Sequence, residues 1–212
     1  MTSNRTTRLF LSLTFLAWWN VIQTNNVGAV EPCDSGFLSG YHHKLDRVID
    51  EAVSGIPQLS ITVIPSFYAE WGVRVVGNDV HVVHLESSLW EQSHLTDWLQ
   101  PLDKDSASPR IPTLVHHAPL KPDTSTRVRD FYGSVLAHAR DSSGVGSDGV
   151  IYQFTLPGVG CKQAWSPEPK STEAHLVKIL QLLADHARLN APDAIQRSEE
   201  VIIRVLDELT SP

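Results

Sequence analysis

The sequence lacks the motifs that mark nucleophilic and metalloprotease-type enzymes: it has no G-x-S-x-G elbow, no H-E-x-x-H pair and no S-x-x-K. Cysteine is scarce. Cys33 and Cys161 are the only two, and no Cys-x-x-Cys spacing exists, which excludes a dithiol redox centre. Basic charge is also short, with 17 Lys and Arg against 24 Asp and Glu and a formal net charge of -7. Phosphate binding needs clustered Lys and Arg that such a surface opposes, so neither nucleic acid nor an anionic membrane is an expected partner. Long apolar runs are missing too: Leu9 to Trp19 stops after 11 residues, short of the roughly 20 a spanning helix needs.

What remains is enough to fold. Hydrophobic residues make up 42% and charged residues 19% of 212, so the chain can build a core and is not of the high-charge, disordered kind. Residues 1 to 29 read as a secretory signal peptide: Arg5 and Arg8 precede the apolar run, and Val27-Gly28-Ala29 offers a cleavage site. Its removal leaves 15 bases against 24 acids, a net of -9. The expected location is secreted or periplasmic, with no stable membrane insertion once the signal is gone. In such a compartment a lone cysteine pair forms one disulfide, Cys33 to Cys161.

Residues 30 to 212 are expected to form a single domain with a long Pro-rich loop at about 97–123. Apolar spacing predicts helices over Ser39 to Ser54, Thr124 to Arg140, Ser171 to Leu189 and from Pro192 onward, and the Ser88-x-x-Glu91 capping spacing predicts a short one there. Alternation or Val-rich runs predict strands at Leu59 to Val63, Trp71 to Val76, Val80 to Leu85, Ile111 to Val115, Val150 to Leu156 and Cys161 to Trp165. Gly77-Asn78-Asp79 turns the firmest hairpin. Strands arriving as hairpins give the α+β class: a two-layer sandwich with a mainly antiparallel sheet of about five or six strands covered by helices.

Gly144-Val145-Gly146-Ser147-Asp148-Gly149 spells G-x-G-x-x-G, but these glycines leave a helix and enter a strand, the reverse of the dinucleotide-binding context. No cofactor is expected from it. Ten histidines include His42-His43, His81-x-x-His84 and His116-His117. Adjacent histidines diverge on helix and strand alike, and His81 and His84 point to opposite faces of a strand, so no metal site is expected. His84 and Glu86 share a face and would need a third ligand brought by folding. His175 and His186, three turns apart, read as the border of a core.

The most chemically mixed segment is Pro65-Ser66-Phe67-Tyr68-Ala69-Glu70-Trp71, where a carboxylate stands between aromatics. Tyr68, Glu70 and Trp71 are the binding candidates. The expectation is an exported non-catalytic module that binds a protein, a peptide or an envelope saccharide. The alternative is an exported hydrolase in which Glu70, desolvated by its neighbours, works with a nearby acid or a histidine such as His84.

Overall fold

The computed structural model describes residues 31–33, 39–92, 111–138 and 148–211. The expected leader, most of the glycine run and the greater part of the Pro-rich loop lie outside these residues. Seven antiparallel strands form one sheet in the order β1-β7-β6-β2-β3-β4-β5. They are β1 (Glu31–Pro32), β2 (Leu59–Pro65), β3 (Trp71–Val76), β4 (Asp79–Leu85), β5 (Thr113–Pro119), β6 (Val150–Leu156) and β7 (Gly160–Trp165). Six are regular strands; β1 is a two-residue bridge that pairs Glu31 with Gln163 and Pro32 with Lys162.

Strand alternation divides the core. Leu59, Ile61, Val63, Val73, Val75, Val80 and Val82 point to one face and meet α3 (Pro122–His138), α4 (Thr172–Ala187) and α5 (Pro192–Thr210). Those helices bring Val128 and Tyr132, Leu176 and Leu180, and Ile202 and Leu206, all fully or almost fully buried. Each such side chain contributes about 1.5–3 kcal/mol of burial. Ile64, Val83 and Leu85 point the other way and meet α1 (Ser39–Glu51) through Tyr41, Leu45, Val48 and Ile49, together with Leu89 of α2 (Leu89–Gln92). The result is the expected α+β sandwich, with α1 laid across the second face of the sheet.

Capping residues act where the sequence places them. Ser171 accepts the Ala174 N–H at 3.1 Å to start α4, and Pro192 stands in the first turn of α5. Glu199 of α5 is 3% exposed and accepts the Lys121 N–H at 2.6 Å, just before α3 begins. Two differences from expectation concern the segment before α3. The strand there runs from Thr113 to Pro119 rather than from Ile111 to Val115, and α3 already starts at Pro122. Pairing with β4 over all seven residues accounts for the longer strand, and Pro119, at its end opposite Asp79, is tolerated because the strand is at the edge.

The predicted disulfide is present: Cys33 and Cys161 are bonded with Cα atoms 5.4 Å apart. It fixes β1 against β7. Among the described residues no helix is long and apolar enough to cross a membrane.

Candidate functional site

The segment between β2 and β3 is held at both ends. On one side the Ser66 N–H donates to the Gly149 carbonyl at 2.9 Å, the Ser66 hydroxyl donates to that same carbonyl at 2.9 Å, and the Gly149 N–H donates back to the hydroxyl at 3.0 Å. Gly149 has no room for a side chain, since a Cβ would lie 2.7 Å from the Trp165 ring. On the other side Glu70 is 1% exposed and its carboxylate accepts three hydrogen bonds. The donors are the Tyr41 hydroxyl, the Ser88 hydroxyl at 2.9 Å and the Leu89 N–H at 2.9 Å. The Glu70 carbonyl also accepts the Leu85 N–H at 3.0 Å.

Between these clamps Phe67 and Tyr68 stand out from the surface, 74% and 77% exposed. Trp90, 43% exposed, lies edge-on to Tyr41 at 5.6 Å and so belongs to the same end of the sheet. Of the three residues singled out from sequence, only Tyr68 faces outward. Trp71 is half-buried, packs against the three-helix core and stacks on His84 with ring centroids 5.5 Å apart. Glu70 is turned inward under α1. Phe67 was missed as a binding candidate; its place after Pro65, where the strand stops and the chain need no longer alternate in and out, is the signal that could have found it.

Glu70 and His84 do not meet. Glu70 reaches α1 and α2 on one face of the sheet. His84 lies on the other, where Arg188, which follows the last residue of α4, donates to its Nε2 at 2.7 Å. Burial first, then Arg188 and His116, lower the His84 pKa, as expected for a ring that accepts from a guanidinium. Tyr41 is shifted far upward by burial and by the adjacent carboxylate, so its proton stays on the phenol and the phenol remains a donor. A carboxylate this enclosed, with donors on both oxygens, anchors the loop to α1 and α2.

Further buried polar groups hold α1 to the sheet. Arg74 is 0% exposed; its Nε donates to Asp50 at 2.5 Å and its Nη2 to Asp46 at 3.1 Å, while Nη1 donates to the Ile61 carbonyl at 3.0 Å. Gly72 makes room for this packing, because a Cβ there would come within 2.7 Å of the Ile61 carbonyl. His42, 7% exposed, takes a hydrogen bond from the Gln153 amide at 2.7 Å, and burial, helped by His43, lowers its pKa to about 4. His186 is fully buried with Nε2 at 2.9 Å from the Pro119 carbonyl, a core histidine as its helical position implied.

Concavities lined by described residues lie elsewhere on the surface. One, of about 540 Å³, lies between Gln58, Arg129, Asp130 and Leu156; another, of about 270 Å³, lies between Tyr152, Ser166, Lys178 and Gln181. Neither includes Glu70 or a histidine. Among the described residues no group of three or more His, Cys, Asp or Glu side chains is gathered to hold an ion. No family model matches the chain, and no curated protein or solved structure is significantly similar to it.

Proposed function

We propose that this protein is an exported, non-catalytic binding module that takes a protein, peptide or envelope saccharide on the aromatic loop between β2 and β3. One observation carries this reading: Phe67 and Tyr68, 74% and 77% exposed, are displayed on a loop clamped by Ser66 on one side and Glu70 on the other. Two large apolar rings in water are costly on a floppy segment and useful on a rigid one, because little conformational entropy is lost when a ligand settles on them. Tyrosine adds a hydroxyl that suits peptide and sugar partners alike. Export is supported by the Cys33–Cys161 bond, which oxidising compartments favour, and by the leader-like residues 1–29.

The test compares the mature protein with a Phe67→Ala/Tyr68→Ala variant, each immobilised and exposed to the envelope fraction of its native cell. Both side chains are exposed, so the variant should melt with the parent. Bound species are identified by mass spectrometry and glycan analysis. Loss of a saturable ligand in the variant supports the module; equal capture by both proteins refutes it.

A further inference from the structure

Histidines that diverge along a strand can converge across a sheet. His81 of β4 is the direct partner of His117 of β5, and directly opposed residues of an antiparallel pair project to the same face. The two rings have centroids 5.4 Å apart at an interplanar angle of 37°. Two imidazoles on one tetrahedral Zn²⁺ stand about 5 Å apart between ring centres, given Zn–N bonds of about 2.0–2.1 Å and about 1.1 Å from nitrogen to centroid. The pair therefore already has the spacing of a chelate.

The surroundings suit a cation. Asp79 is two residues before His81 on the same strand and so shares its face. Arg74 is the partner of His81 on the other side, but its guanidinium is bound by Asp46 and Asp50, which offset its charge. His81 is half-buried and His117 exposed, so the pair is reachable from solvent while one ring is held by its neighbours.

We propose that His81 and His117 form a two-histidine site for a divalent transition metal of the zinc, nickel and copper class, with water completing the coordination shell. Imidazole is the ligand these ions share, and Ca²⁺ or Mg²⁺, which prefer oxygen, are not expected there. His84 and His116 lie on the opposite face of the same two strands and take no part.

The test is titration of the untagged exported chain, disulfide intact, with ZnCl₂ and separately with CuCl₂ at pH 7.5, above the ordinary imidazole pKa of about 6.5. Histidine-ring ¹H–¹⁵N spectra of the parent protein should show His81 and His117 shifting together at one equivalent of metal, with His84 unmoved. Calorimetry should show one saturable site that His117→Ala and His81→Asn each weaken by about tenfold or more, whereas His116→Ala keeps it. The spectra of the unmutated protein decide the matter even if a variant folds poorly. Absence of saturable binding, shifts spread over all the histidines, or equal loss in His116→Ala would overturn the site.

Discussion

The Tyr41 hydroxyl donates to the buried carboxylate of Glu70, so the first helix and the aromatic loop are joined by one hydrogen bond across 29 residues of chain. The same carboxylate receives Ser88 and the first N–H of α2, and three elements thus converge on one side chain.

Replacing it with an isostere should therefore affect stability first. Glu70→Gln presents an NH₂ where only acceptors fit, leaving at least one buried donor without an acceptor. The expected loss is about 1–3 kcal/mol, a fall of several degrees in Tm for a chain of this size. Urea and thermal melts measure it. A variant of unchanged stability would mean that the carboxylate does not anchor the loop.

Arg74 should matter more than either of its partners. Arg74→Ala strands Asp46, Asp50 and the Ile61 carbonyl beneath α1, and truncating one member of a buried ion pair costs about 3–5 kcal/mol. The side chains of Asp46 and Asp50 are 30% and 47% exposed, so each alone is partly replaced by water and each alanine variant should lose less. Chemical denaturation of the three variants gives the order; an Asp50→Ala loss equal to that of Arg74→Ala would contradict it.

Acid should weaken the fold well before carboxylates titrate. His42 is held to about 4 in the folded protein by burial and then by His43, against about 6.5 for an unfolded histidine. Between those values the unfolded chain takes up a proton that the folded chain refuses. Stability is therefore full above about pH 6.5 and falls by on the order of 3 kcal/mol on descending to about pH 4. His81 and His84 are lowered in the same direction and add to the slope. Glu199 acts lower down. Burial alone would raise its carboxyl, but hydrogen bonds at the start of α3 and the Lys121 charge hold it below the ordinary 4.5, so its contribution is lost only as the pH falls further. Tm measured from pH 7.5 to 4.5 should drop in the parent and drop less in His42→Gln; parallel curves would exclude His42 as the cause.

Removing the disulfide should cost several kcal/mol. The bond spans a sequence separation of 128, for which chain entropy alone gives about 5 kcal/mol as an upper figure. A Cys33→Ala/Cys161→Ala variant and the reduced parent should share a lower Tm; no difference from the oxidised protein would show that the N-terminal bridge contributes nothing.

Local signals carried most of the fold. The alternation at Leu59, Ile61 and Val63, the Gly77-Asn78 turn and the Ser171 cap each fix an element from within a few residues, and each is found in place. Long-range partners were beyond such reading. No local signal says that Glu70, rather than Trp71, turns under a helix 29 residues earlier, or that His81 lands opposite His117, because those facts follow from strand pairing and from which face α1 covers. The two-residue β1 is too short for any periodicity, and its pairing with β7 stands beside the Cys33–Cys161 bond, a partner 128 residues away.

That short strand also covers part of an otherwise open sheet edge. A sheet ending in a bare strand offers its free N–H and C=O groups to any neighbour, and open edges of this kind seed aggregates. At one margin of this sheet, Pro119 lies at the end of β5 and withholds a donor; at the other, β1 sits on Lys162 and Gln163 in the middle of β7. Because Cys33 is bonded to Cys161, this second guard cannot drift away while the bond lasts. With the thiols reduced, β1 would no longer be tied to β7 and the middle of that edge would be open to self-pairing, so the bond guards against aggregation as well as against unfolding.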